Sequence, residues 1–294
     1  MISGTRLALL YLALLVVLAV GASRIAPYDP FALSQDALSP PTSRHVMGTD
    51  NIGRDILSGI IHGSSAALAV GVFTAFVAAA LGVLIGALSG YFGGVTDLVL
   101  MRVAEFFQMF PVFFLAIVVV TLTGPGLVKV ILILGIAGWP GIARLVRVAM
   151  LSLKKAEFVE AAISMGCSNR RVIVRHILPN GVAPATVAAS FVIGRAILAE
   201  AGLSFLGLGD PSVASWGQML NNAQQFLTRA WWLALFPGAA IALTVIAANA
   251  LGDALNDYMN PRTRRRAFVT TSATDPAASM KKSASLQRRF SSLS

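Results

Sequence analysis

The chain reads as an all-α integral membrane protein with six transmembrane helices. Of its 294 residues 56% are apolar and only 12% charged, about half the usual charged share. Mean hydropathy is +0.75, outside the range of an ordinary water-soluble globule. The charges also divide the apolar residues into uncharged runs that approach the ~20 needed to cross a bilayer as helix. Cys167 is the single cysteine, which excludes a disulfide framework or a Cys-rich metal site within one chain.

Seventeen uncharged residues between Arg6 and Arg24 make the first span, and thirty-four between His62 and Asp97 make the second. Phe106 to Val128 is the third, with Asp97, Arg102 and Glu105 ahead of it. Val130 to Ala143 is the fourth and the weakest, because only fourteen residues separate Lys129 from Arg144 and both side chains must reach for an interface. Asn180 to Gly202 is the fifth, carrying Arg195 and Glu200, and Ala230 to Gly252 the sixth. Arg6, the apolar run after it and the small residues of AVGAS also have the shape of a cleaved signal peptide; that alternative leaves five spans.

Orientation follows from Lys and Arg, which are retained on the cytoplasmic side. With the N-terminus inside, seventeen of the 23 fall in cytoplasmic segments, five fall outside and Arg195 is intramembrane. Both termini are then cytoplasmic, and the net charge of +10 reports topology rather than nucleic-acid binding. Residues 1–63 hold the first span and an extracytoplasmic segment, 64–257 the transmembrane core with a cytoplasmic loop at 149–180, and 258–294 a basic tail.

Three polar segments interrupt the spans. Arg24 to Ser64 contains APYDP and HVMGTDNIGRDIL, a pattern of turns followed by a short amphipathic helix. Ser204 to Arg229 reads as a Gly-rich turn and a short helix. Ala149 to Asn180 is too polar to be embedded, yet helix-forming, with Gly166 in its middle. There Glu160-Ala161-Ala162 leads to Gly166 and then to Leu178-Pro179. The alanines keep one helix surface shallow enough for another protein to approach, Gly166 lets the chain reverse, and Pro179 suits the first turn of the next helix. The product is a compact knob joined to two spans.

At these residues the sequence resembles the permease subunits of ATP-binding cassette importers, whose cytoplasmic signature is Glu-Ala-Ala, three residues, Gly, nine residues, Ile, one residue, Leu-Pro. His176 occupies the Ile position. HVMGTDNIGRD, GYFGG, SFLGLG, SWG and GDALNDYMNPR extend the resemblance over roughly Pro27 to Arg262, towards the second permease of dipeptide, oligopeptide and nickel importers. Departures are Gly202 where Ser is expected, Asn260 ahead of the final Pro, and the short DPSVASWG. The resemblance implies the type I importer transmembrane fold and a place in the bacterial inner membrane. It also implies a homologous permease partner, two cytoplasmic ATPase subunits that bind the ATP and Mg, and an extracytoplasmic binding protein. On this resemblance Glu160 is offered to a basic group of the ATPase, with Arg170 and Arg171 near the contact rim.

No G-x-x-x-x-G-K-[ST] and no Gly-Lys pair occurs, so the chain has no P-loop, and energy comes from another subunit. An intramembrane hydrolase needs a facing nucleophile and base; His45, His62 and His176 all fall in or beside loops. Glu105, Arg195 and Glu200 are ionisable groups at or near membrane depth, costly there unless paired or facing water. They read either as mutually neutralising or snorkelling near helix ends, or as lining the transport path. Asn249, Asp253 and Asp257 recur every four residues and call for a cationic neighbour such as Arg144, Arg147 or the Arg262–Arg266 run. Thr74, Ala78, Gly82, Gly86, Gly90 and Gly94 form a small-residue stripe of the kind that lets helices approach closely in lipid. Pro111, Pro140, Pro184 and Pro237 are candidate bends. The tail reads as a solvated segment or one attracted to anionic lipid. Free nickel calls for His or Met clusters that the spans lack, so peptide is the leading cargo, with glutathione, nickel chelates and sugars as alternatives. A passive channel or membrane scaffold is the alternative of another class.

Overall fold

A computed structural model describes residues 2–259; Asn260 and the Arg262–Arg266 run lie outside the described residues. Two compact units divide the chain, Met1–Gly252 and Asp253–Ser294. The first contains every site discussed below, and residues 253–259 of the second are the last turns of a helix.

Regular structure among the described residues is helical, apart from one bridge between Thr49 and Asp55. In chain order the helices are α1 (Ile2–Val20), α2 (Ala22–Ile25), α3 (Ile56–Phe92), α4 (Gly94–Met109), α5 (Val112–Thr123) and α6 (Leu127–Leu153). There follow α7 (Glu157–Ser164), α8 (Asn169–Arg171), a π-helix (Val172–Ile177), α9 (Leu178–Gly181) and α10 (Ala183–Phe205). Then come α11 (Trp216–Ala223), a 3-10 turn (Gln224–Phe226) and α12 (Trp232–Met259). By length and composition α3, α6, α10 and α12 can each cross a bilayer, α4 and α5 pass the same test as a pair bent by 77°, and α1 has a shorter apolar stretch, Gly4–Val20.

The polar segment before α3 does not form a separate amphipathic helix; its turns lead straight into α3. Asp50 Oδ1 accepts the N–H groups of Ile52 and Arg54 at 2.9 and 2.8 Å. Gly48 and Gly53 hold the left-handed φ angles that reverse the chain. Asp55 then caps α3 by accepting from the N–H and hydroxyl of Ser58 at 2.8 and 2.7 Å, which satisfies donors that a helix start leaves free. His45 Nδ1 lies 2.9 Å from Asp55 Oδ1 and fixes the cap. The HVMGTDNIGRD motif is therefore a folded helix start. Trp232 Nε1 donates to Thr49 O at 3.1 Å, tying this cap to the start of α12.

α3 and α6 form the most extensive helix pair, and the small-residue stripe is its seam. A Cβ on Gly82 would lie 2.7 Å from Ile142, one on Gly90 2.7 Å from the Arg147 carbonyl oxygen, and one on Gly86 against the Ala143 carbonyl oxygen. Thr74 and Ala78 are buried in the same seam. Gly94 is not part of it: α3 ends at Phe92, Gly93 and Gly94 both have positive φ, and Gly94 starts α4.

The weak fourth span is longer than its charges suggested. α6 continues past the exposed Arg144 and through Arg147 to Leu153, and Arg147 is neutralised on the way: its Nε and Nη2 donate to the two carboxylate oxygens of Asp97 at 2.5 Å each. Ser89 donates to the same carboxylate. Arg147 is thus engaged by α4 rather than by the carboxylates of the last helix. The third span is broken where Phe110 adopts an extended ψ of 130° before Pro111, the conformation a following proline favours. Pro140 and Pro237 stay inside continuous helices, and Pro184 lies in the first turn of α10.

α1 is built into the bundle. Its Leu15 packs among Ala67, Ile197 and Ala240, Tyr11 shares a 2.9 Å hydrogen bond with Thr244, and Ser65 donates to Ala19 O at 2.8 Å. At the far end of α10 the expected Gly-rich turn and short helix are present. Trp216 Nε1 donates to Ile60 O at 3.0 Å, and Gly63 leaves room for the indole.

Within that turn Asp210 accepts from the hydroxyl and N–H of Ser212 at 2.6 and 3.0 Å, and from Leu127 N at 3.3 Å. The Ser212 hydrogen bonds hold its carboxyl below the usual carboxylate range, with smaller help from Leu127 and Lys129 against the opposing effect of burial. A lowered folded-state pKa gives stabilisation that is present above the ordinary carboxylate pKa and is lost as pH falls through the folded value. Protection factors of the amides across 206–215, which discount the intrinsic slowing of exchange in acid, are therefore expected to fall on acidification below that range. Asp210→Asn should lower them already at neutral pH and remove the pH step; an unchanged step in the variant sinks the assignment.

Candidate coupling surface

The segment between α6 and α10 folds as the knob its spacing predicts. α6 ends at Leu153, and α7 begins four residues later at Glu157. After Ser164 the chain reverses at Gly166, whose φ is +81°. Gly166 and Cys167 donate to Ile163 O and Ala162 O at 2.9 and 3.1 Å, which closes the helix end as a left-handed glycine cap does. No atom lies within 4 Å of a Cβ built at Gly166, so glycine is needed here for backbone conformation rather than for space.

The knob has an inner and an outer side. Val159 and Ala162 are buried on α7, and Val172 and Ile177 are buried on the π-helix, all in one core with Ala87 and Tyr91 of α3 and Val146 and Met150 of α6. Glu160 and Ala161 face outward, as do Arg170 and Arg171. The two alanines of the motif therefore do different jobs: Ala161 belongs to the exposed surface, whereas Ala162 lets α7 sit close on the protein's own helices. Leu178 is half-buried against the same core and Pro179 is exposed in the first turn of α9.

The π turns explain the departure at His176. In an α-helix, residues five apart lie about 140° apart around the axis, so Val172 and Ile177 would not share a face. A π-helix closes its hydrogen bonds over five residues and brings both into the core. The buried apolar position is thereby supplied by Ile177, and His176 stays partly exposed.

Polar contacts missed by sequence reasoning pin the knob to the bundle. Tyr91 at the end of α3 donates its hydroxyl to Asn169 Oδ1 at 2.8 Å. Lys154 donates to Tyr91 O at 2.6 Å and lies 5.3 Å from the Tyr91 ring centroid, a cation–π geometry. The GYFGG motif held the only signal, an aromatic residue ending a long apolar run.

The membrane-depth charges do not neutralise one another. Glu105 pairs with Arg102 at 3.0 Å on the exposed side of α4. Glu200 is 6% exposed and accepts from Ser204 at 2.7 Å, so it braces the end of α10. Arg195 is exposed and unpaired among the described residues.

Comparison with known proteins fits this geometry. Residues 82–265 match the family described as binding-protein-dependent transport system inner membrane component. A Brucella suis biovar 1 protein provisionally named a peptide transport system permease is 41% identical over 259 residues, covering 87% of each chain. The glutathione transport system permease protein GsiD of Pectobacterium atrosepticum is 41% identical over 256 residues, covering 86% of this chain and 85% of its own. In fold the chain is similar to the MetNI methionine ABC transporter in inward-facing conformations, with a TM-score of 0.54 at 19% identity over 69% of this chain and 96% of that one; at that identity the likeness concerns fold alone. A helical bundle carrying the Glu160 to Pro179 knob, matched by this profile over more than half its length, belongs to the inner-membrane permease subunits of binding-protein-dependent ABC importers.

Proposed function

We propose that the chain forms half of a heterodimeric pore for di- and oligopeptides, working with a homologous permease, two ATPase subunits and an extracytoplasmic binding protein. The observation that carries this reading is the two-sided knob. Its outer residues Glu160 and Ala161 are free to meet an ATPase, while its inner residues Val159, Ala162, Val172 and Ile177 are locked into α3 and α6. A displacement of the outer side is then transmitted to membrane helices, since a close-packed core moves as a unit. ATP-driven closure of the ATPases moves the knob and opens the pore to a binding protein docked over residues 24–64 and 204–229; hydrolysis reverses it. The names of the relatives favour peptide cargo, and glutathione, itself a tripeptide, falls within that class.

Glu160 has no side-chain partner among the described residues, so Glu160→Arg is expected to leave the fold intact and to release the ATPase subunits on co-purification. ATP-driven uptake should then fall more than about tenfold, the size of losing one charge-assisted contact. Gly166→Ala is expected to strain the knob by about 1–2 kcal/mol and to lower uptake with partial retention of the ATPases. Full-rate solute movement by this chain without ATPases, or an intact complex with Glu160→Arg, overturns the coupling role. Uptake assays with peptides and with glutathione separate the cargo readings.

A further inference from the structure

Arg195 stands halfway along the 23-residue α10. Its neighbours Gly194, Ala196 and Ile197 are buried while it is exposed, so it projects away from the bundle. Among the described residues it has neither a hydrogen-bond nor an ion-pair partner. The two acids expected near it are taken, Glu200 by Ser204 and Glu105 by Arg102. A guanidinium keeps its charge, and an unpaired charge at mid-span is costly against lipid, so such groups face water, a ligand or a partner.

Two features on the adjoining turns of α10 and α12 bear on what it could meet. Asn249 on α12 places its Oδ1 3.3 Å from where Gly194 would carry a Cβ, and Asn249 likewise has no hydrogen-bond partner among the described residues. Further along the same helices, α10 and α12 border an apolar groove of about 540 Å³ lined by Leu198, Gly202, Phe205, Ile241 and Ile246. Arginine is suited to a carboxylate because its planar fork gives two parallel hydrogen bonds. A carboxamide can donate beside it, and an apolar slot holds an uncharged side chain.

We infer that Arg195 and Asn249 form a transient carboxylate-binding station on the transport path, which takes the C-terminal carboxylate of a passing peptide while the groove receives its last side chain. The assignment rests on the peptide reading above and adds to it the end of the peptide that is recognised. The alternative source of a carboxylate is an acidic side chain of the partner permease, and the test separates the two.

The test uses the complete complex with its binding protein, reconstituted in phosphatidylethanolamine–phosphatidylglycerol vesicles. ATP-driven uptake of trialanine and of trialanine amide is measured for wild type, Arg195→Gln and Arg195→Lys. The expected result is that Arg195→Gln lowers uptake of the free acid roughly tenfold to a hundredfold with little change for the amide. Arg195→Lys should restore part of the loss, and ATP hydrolysis stimulated by the binding protein should persist. Unchanged acid uptake in Arg195→Gln overturns the station. Equal loss of acid and amide, or separation of the two permeases, also overturns it, by assigning Arg195 to structure or to a partner's carboxylate. If wild type moves neither peptide the cargo reading itself falls and takes the station with it, a result distinct from a defect confined to the variant.

Discussion

Replacing Gly86 with leucine is expected to abolish the folded permease. The α3–α6 seam leaves no volume there: a Cβ at Gly86 would meet the Ala143 carbonyl oxygen and lie 2.8 Å from Val146 Cβ. One obstacle is backbone and the other a β-branched carbon, so neither can swing aside as a flexible side chain would. Gly82 and Gly90 face equally close neighbours one turn on either side, so a shift of α3 at Gly86 is resisted above and below. Lipid supplies no hydrophobic drive between helices, and close van der Waals approach is what holds them. Overpacking of this kind costs about 1–3 kcal/mol and sometimes more, and an obstructed helix backbone places Gly86→Leu at the upper end or beyond. Gly141→Leu on α6 is the control, because nothing lies within 4 Å of its Cβ and surface changes usually fall within about 0.5 kcal/mol. Monodisperse yield in detergent and the thermal midpoint are the measurements. A Gly86→Leu protein that melts with wild type shows that α3 and α6 do not pack as described.

The second large effect is expected at Arg147. Arg147→Ala would leave Asp97 facing Ser89 without its counter-ion, at a place only partly open to solvent. Breaking a fully buried pair by removing one partner costs about 3–5 kcal/mol. Here partial exposure screens the charge, and a loss of about 2–3 kcal/mol is expected. The signature of an ion pair, as opposed to a bulky side chain, is recovery in the double variant. Asp97→Asn with Arg147→Gln removes both charges, keeps hydrogen-bonding groups of similar shape, and should be more stable than Arg147→Ala. A double variant as unstable as the sum of the single ones would show that the two residues do not interact. Because this pair ties the first turn of α4 to α6, its loss should also loosen the approach to the bend at Pro111.

Much of the bundle was legible because it rests on quantities that are local in sequence. Uncharged length located α3, α10 and α12, and the four-residue spacing from Thr74 to Gly90 marked a packing seam before any partner was known. The knob was legible too, since a glycine between two short helix-forming stretches and a proline at Leu178-Pro179 are turn chemistry read residue by residue. The same method misjudged α6, because a count of uncharged residues stops at Arg144 although the helix runs on past that exposed residue to Leu153, and spacing does not reveal that Arg147 meets a carboxylate 50 positions earlier. It assigned both alanines of the motif to the docking surface, because spacing does not say which side of a short helix a bundle will cover. Glu105, Arg195 and Glu200 looked alike as charges at membrane depth. Their hydrogen bonds separate them into a surface pair, a buried brace and an unpartnered cation.

The sequence by itself determined that this chain is a membrane-spanning helical protein without a P-loop motif and with a knob between two of its spans. Those properties are set by apolar length, by charge spacing and by the backbone demands of single glycines and prolines. Only the tertiary structure decided which face of the knob is inward, how Arg147 is neutralised within a long helix, where the third span bends, and that Arg195, of the charges at membrane depth, is left unpaired among the described residues. Each of these is fixed by residues far apart in the chain that meet across a close-packed seam, and the energies of pairing and steric exclusion exist only once the helices are in contact.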